Sequence, residues 1–155
     1  MKIGITGHRD LTPGTVMLVS AAIEEQLAAH AELVGITALA EGADQLFAEA
    51  TLARGGTLDV IVPSEEYRGL RDDVERYDRL LARAARVTRL PFREDGPSAH
   101  VAAGLLTVER SELILAVWDG QPARAFGGTA DFVAYARQVQ IPVTVIWPAG
   151  SARSS

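Results

Sequence analysis

Four places in this 155-residue chain combine residues able to hold an anion or a sugar. The first is Gly4-Ile5-Thr6-Gly7-His8-Arg9-Asp10. Its glycines let the backbone turn tightly and approach a bound group, and Arg9 offers a guanidinium that either forks onto a phosphate or stays solvated. The second is Ala40-Glu41-Gly42-Ala43-Asp44, where Glu41 and Asp44 flank a glycine. Either carboxylate can hold a sugar hydroxyl, and Asp44 equally suits the acidic first turn of a helix. Val62-Pro63-Ser64 is the third. The fourth has two parts, Trp118-Asp119-Gly120 and Gly127-Gly128-Thr129-Ala130-Asp131. Asp119 is placed to accept from a ribose hydroxyl or to cap its own loop. A Gly-Gly-Thr run at a helix start aims successive N–H groups and a hydroxyl where the helix dipole favours phosphate, the alternative being a plain turn with Thr129 as N-cap. Asp131 either stabilises oxocarbenium-like charge during cleavage of an N-glycosidic bond or complements the helix dipole.

Other side chains add less. His8 can donate to a ligand, while His30 and His100 read as surface residues. With three scattered histidines and no cysteine there is no metal-ligand set, and neither a metal nor an organic cofactor is expected. Tyr67 is the candidate to stack on a base, Trp118 reads as core, and Arg124 either swings over a phosphate or is solvated.

The elements that must position these residues follow from periodicity. Short β-branched runs at 2–6, 36–40, 58–62, 87–90, 113–118 and 143–147 read as strands. Between them, 13–30, 43–54, 98–110 and 128–140 read as helices, with a further charged helix within 64–86. Thr12-Pro13 is an N-cap followed by a first-turn proline. Alternation of this kind predicts an α/β fold, a doubly wound and mostly parallel sheet with helices on both faces. In such a sheet ligands lie beyond the carboxyl ends of the strands, which is where all four places fall.

Composition bounds the rest. At 48% hydrophobic and 23% charged residues the chain is expected to form one globular domain over 1–149, with 150–155 a disordered tail. Twenty acidic against fifteen basic residues give a net charge of -5, a poor match to a nucleic-acid backbone, so nucleic acid is not expected as a partner. The arginines of 68–86 read as a helix face laced with acids, and as the one place where a polyanion could land. No apolar run approaches the roughly 18 residues of a membrane span and no leader pattern opens the chain, so a cytoplasmic protein with no membrane partner is expected. Neither G-x-G-x-x-G nor G-x-x-x-x-G-K-[ST] occurs, which disfavours dinucleotide dehydrogenases and P-loop enzymes.

Taken together, Gly4-Ile5-Thr6-Gly7-His8-Arg9, Ala38-Leu39-Ala40-Glu41-Gly42-Ala43-Asp44 and the segment from Trp118 to Thr129 resemble the SLOG superfamily. These are Rossmann-like nucleotide-binding domains that include the LOG phosphoribohydrolases, the DNA-processing protein A fold and sensors of ADP-ribose-type signals. The resemblance implies a nucleotide or phosphorylated ribose across the strand ends. Gly4, Thr6 and Gly7 with Gly42, Ala43 and Asp44 would line one side, and Gly127, Gly128 and Thr129 would hold phosphate on the other. The chain departs from the catalytic members at two points. Ala103-Gly104 stands where they carry Arg-Lys, and Phe132 where they carry a glutamate, with Asp131 one position early. The expectation is therefore a sensor or carrier module for a nucleotide-type small molecule, possible as a homo-oligomer. The alternative is a phosphoribohydrolase acting on a nucleoside 5'-monophosphate, with Asp131 and Glu41 as its acids.

Overall fold

The computed structural model describes residues 1–125 and 127–154; Phe126, within the expected 119–127 loop, and Ser155, the end of the expected tail, lie outside the described residues. The elements alternate as β1 (Lys2–Gly7), α1 (Pro13–Ala28), β2 (Val34–Thr37), α2 (Ala43–Ala53), β3 (Thr57–Ser64), α3 (Val74–Ala82), β4 (Arg86–Phe92), α4 (Pro97–Arg110), β5 (Leu113–Val117), α5 (Thr129–Gln138) and β6 (Val143–Ile146). They build one six-stranded sheet in the order β4-β3-β2-β1-β5-β6, with every described pairing parallel. The doubly wound α/β architecture is as the alternation predicts.

Helix α1 begins where Thr12 and Pro13 place it, with the Thr12 hydroxyl accepting from the Thr15 amide at 3.3 Å. Its buried stripe, Val19, Ile23 and Leu27, lies with Phe47 of α2 against Ile3 and Ile5 of β1. Burial of each such side chain contributes about 1.5–3 kcal/mol. On the opposite face α4 and α5 cover Ile36, Ile61 and Ile114 with Ala103, Val108 and Ala136. Helix α4 comes close because small residues let it. A Cβ on Gly4 would fall 2.3 Å from the Ser111 hydroxyl, and one on Gly104 would fall 2.1 Å from the Phe132 ring.

Two expectations are corrected and a third is refined. Strand β3 does not stop at Pro63 but runs to Ser64, because the register against β4 shifts between Val62 and Ser64 and absorbs the residue without an N–H. The helix expected within 64–86 is there, over Val74–Ala82, but the residues before it take an arrangement that their pattern does not predict. Before it the chain folds back on β2, where the Tyr67 hydroxyl donates to the Ala38 carbonyl and Arg71 to the Leu39 carbonyl. The tail expected to be disordered is docked as far as Ser154. The Ala152 carbonyl accepts from the Thr12 amide, Leu11 and Arg153 form an antiparallel bridge, and Ser154 donates to the Asp10 carbonyl.

Replacing Gly104 with Ala should lower stability by about 1–3 kcal/mol through overpacking against Phe132. Denaturant midpoints measure this. Adding Phe132→Leu should recover part of the loss, and an unchanged midpoint in Gly104→Ala would show that α4 and α5 tolerate a wider spacing.

Candidate functional site

The strand order reverses at β1, which has β2 on one side and β5 on the other. Loops leaving these neighbours pass to opposite faces, and a crevice opens at their carboxyl ends. A cavity of about 630 Å³ lies there, within the size range of small-molecule sites.

The crevice depends on a close backbone crossing. The His8 amide donates to the Val117 carbonyl at the end of β5, and the His8 carbonyl accepts from the Ala43 amide at the start of α2. A Cβ on Gly7 would lie 2.5 Å from that of Ala43, and one on Gly42 only 2.6 Å from the His8 carbonyl oxygen. Gly42 also has φ of +77°, which a residue with a side chain rarely adopts. The glycines of the first two motifs are therefore required by packing, before any ligand is considered.

His8 fastens the crossing to the β5 loop. Its Nε2 accepts from the Asp119 amide at 3.1 Å, and its ring stands edge-on to Trp147 with centroids 5.6 Å apart. Burial, together with nearby Arg153, holds the His8 pKa below its usual value. The ring is then neutral, and the 3.3 Å approach of Nε2 to the Asp119 carboxylate is not an ion pair. Asp119 in turn accepts from the Gln121 amide at 3.0 Å, the loop-capping role rather than a cavity-facing one.

Of the ligand-binding residues expected from the sequence, Thr6, Gly7, Arg9, Asp44, Gly127, Gly128 and Thr129 line the cavity. Gly4, Gly42, Ala43 and Asp119 do not, for the packing and capping reasons above. Glu41 is exposed and away from the cavity, as is Asp131, whose carboxylate accepts from the Gly127 amide at 2.8 Å. The Gly128 amide is likewise engaged, with the Ala125 carbonyl. Two of the amides assigned to a phosphate cradle are thus occupied within the loop. Among the described residues the donors left at that end are the first amides of α5, from Thr129 and Ala130, which a helix leaves without intrahelical acceptors, and the Thr129 hydroxyl.

Arg9, Arg124 and Arg153 also line the cavity. Arg153 and Arg124 reach Asp10 at 2.8 and 3.5 Å. Arg153 lay in the stretch read as tail, and no local pattern in the sequence ties it to Asp10. His100, read as a surface residue, lines the cavity as well, and so does Trp118, whose indole N–H donates to the Gln121 carbonyl instead of entering the core. Tyr67 is 3% exposed and lies under Arg71, so little of its ring is open for stacking. The arginines of 68–86 are mostly matched to acids, Arg68 with Asp78 and Arg76 with Glu49 among them.

Asp44 sits in the first turn of α2, with a carboxylate oxygen 3.3 Å from the Ala40 amide. The turn it holds includes Leu39 at φ of 56°, kept there by the Thr37 hydroxyl, Gln45 and Arg71.

No family model matches the chain, and no curated protein matches it. Solved structures do. DNA processing protein A from Streptococcus pneumoniae superposes with a TM-score of 0.73 at 16% identity, over 96% of this chain and 51% of that one. Its counterpart from Helicobacter pylori gives 0.66 at 15% identity, over 99% and 69%. The molybdenum cofactor binding protein of Rippkaea orientalis gives 0.63 at 18%, over 93% and 74%. The chain shares the Rossmann-like α/β fold of these structures. At these identities the likeness is one of fold, and the chain spans about half the length of the pneumococcal protein. The Helicobacter protein has a single-stranded DNA binding mode. That corrects the expectation, drawn from net charge, that nucleic acid is not a partner: a protein of this fold binds single-stranded DNA, and total charge says little about one local surface.

Burial pushes the Asp44 pKa up to about 6, against the Ala40 amide and the Arg9 charge, which pull it down. A carboxyl easier to protonate in the folded than in the unfolded chain makes the fold take up a proton between about pH 4 and 6. Its ionisation therefore penalises the folded state fully above that window and not below it. Relative to the parent, Asp44→Asn should gain on the order of 2 kcal/mol between pH 4 and 7 in urea midpoints. A difference that does not vary with pH would contradict this assignment.

Proposed function

We propose that the chain binds a phosphate-bearing small molecule of the nucleotide or phosphoribosyl class in the cavity at the β1/β5 switch point, as a sensor or carrier module. One observation carries this reading. The start of α5 at Thr129 and the guanidinium groups of Arg9, Arg124 and Arg153 converge on a cavity of about 630 Å³ in a chain of net charge -5. Helix-start amides and guanidinium forks are the groups that hold phosphate. The molybdenum cofactor binding protein of the same fold is in keeping with a carrier role. Hydrolysis through Asp131 or Glu41 lacks this support, since neither carboxylate reaches the cavity.

A second reading has its own observation, the single-stranded DNA binding mode of the Helicobacter protein. Under it the same rim of arginines takes backbone phosphates of a single strand.

Thermal-shift and calorimetric titration with nucleoside mono-, di- and triphosphates, ADP-ribose, ribose 5-phosphate and a dT oligonucleotide separates the two. Under the first reading a small phosphate ester raises the melting midpoint by mass action. Gly128→Asp, which brings a negative charge to the start of α5, should weaken it at least about tenfold, and Thr129→Val should weaken it less. Thr129→Val should melt like the parent without ligand, whereas Gly128→Asp, whose Cβ would lie 3.0 Å from that of Ala123, is read against its own ligand-free midpoint. Binding of the oligonucleotide alone, with affinity falling steeply as salt is raised, would favour the second reading. If nothing in the panel binds, the phosphate assignment is wrong.

A further inference from the structure

The cavity carries a feature that the phosphate reading leaves unused. His100, in the first turns of α4, lines the cavity with its ring held from one side and presented from the other. Nε2 lies 2.9 Å from the Asp95 carboxylate. The same carboxylate oxygen accepts from the buried Ser64 hydroxyl at 2.9 Å, and the Asp95 amide donates to Glu66 at 3.3 Å. The imidazole is thereby fixed to the ends of β3 and β4. Its ring also stands edge-on to Tyr67, with centroids 5.7 Å apart.

These contacts determine the tautomer. Among the described residues the partner of Nε2 is the Asp95 carboxylate, which can only accept, so Nε2 carries the proton. Nδ1 is 3.4 Å from a guanidinium nitrogen of Arg9, which can only donate, so Nδ1 holds a lone pair. In this arrangement Nδ1 of His100 faces Arg9, a cation that also lines the cavity.

Asp44 supplies a second acceptor at the same end. Its carboxylate feels the charge of Arg9 and borders Tyr67, the two residues that also flank His100. The Arg9 contact is long and exposed, so it exchanges readily for a stronger, charge-assisted bond to an anion. Once Arg9 turns to such a group, Nδ1 of His100 lacks a donor, while the cavity-lining Asp44 carboxylate keeps the Ala40 amide of its own turn. The cavity then offers the α5 amides and the guanidinium groups as donors, and His100 and Asp44 as acceptors.

We infer that His100 and Asp44 form a paired acceptor for adjacent hydroxyl groups on the sugar of the bound ligand, with Asp95 as the positioning residue for His100. This rests on the phosphate-ligand reading and narrows it to phosphate esters that keep both ring hydroxyls. It makes His100 a specificity-determining residue. The histidine acts through its lone pair and takes no part in bond breaking.

The test compares the four common ribonucleoside 5'-monophosphates with their 2',3'-dideoxy counterparts by titration calorimetry on the full chain. The parent should prefer the hydroxylated member of a bound pair by about tenfold, the worth of one or two net hydrogen bonds. His100→Ala should cut that preference at least about threefold, the loss falling on the hydroxylated member of the pair. Asp95→Asn should reduce the preference, and the ¹⁵N shifts of the His100 ring should move from a single Nε2–H tautomer to a mixture, a change that a merely structural role for Asp95 would not produce. Equal affinity for both members in the parent, or an equal loss for both in His100→Ala, overturns the inference and leaves the phosphate reading standing. Failure of both members together with every phosphate ester of the panel above overturns the phosphate reading and the inference with it.

Discussion

The close crossing of backbone at residues 7, 8, 42 and 43 is the constraint on which the rest depends. The end of β1 passes between the last carbonyl of β5 and the first amide of α2, and it does so only because Gly7 and Gly42 bring no side chain to the contact. The sheet order requires the passage, since β1 is the strand at which the winding reverses. A bulkier residue at either position would push α2 off the sheet edge and carry Asp44 away with it. The cavity is thus a consequence of strand order and of two missing Cβ atoms, and the polar groups around it are mounted on a frame that packing has already fixed.

Electrostatics at the rim follow a different rule. Each arginine facing the cavity is already engaged, Arg124 and Arg153 with Asp10 and Arg9 with His100. Such pairing holds the guanidinium groups in place without a ligand and reduces what must be ordered on binding. It also explains how an acidic chain can present a cationic rim: the acids that outnumber the bases are spread over the surface, while three of the bases gather at one opening.

Local patterns made much of this legible. The number and order of the strands, the cap at Thr12-Pro13 and the helix opening at Thr129 follow periodicity and end signals, which act within a few residues. Boundaries follow less closely, since β2 lies at Val34–Thr37 rather than 36–40 and β3 runs past Pro63. Arg153, Asp10 and His100 were not legible as parts of one site. Their meeting depends on contacts between residues more than 90 positions apart, which no window of sequence contains. Tyr67 and Trp118 exchanged expected roles for a similar reason. The chain before α3 folds back and buries the tyrosine, whereas β5 ends one residue early and releases the tryptophan to the rim. The glycines of the first two motifs were visible but ambiguous, since a glycine needed for packing and one needed for ligand approach look alike in a sequence.

The docked segment 151–154 has a kinetic meaning. The Ala152 carbonyl meets the Thr12 amide and Arg153 meets Asp10, so one wall of the cavity joins the first loop of the chain to its last described residues. Contacts of such sequence separation form only after the intervening chain has collapsed, and they are the slow ones in folding. A partly folded chain lacking β5 and β6 has no cavity to fill. Ligand binding therefore acts on the complete fold and slows global unfolding, leaving local fraying at the far β4 edge untouched.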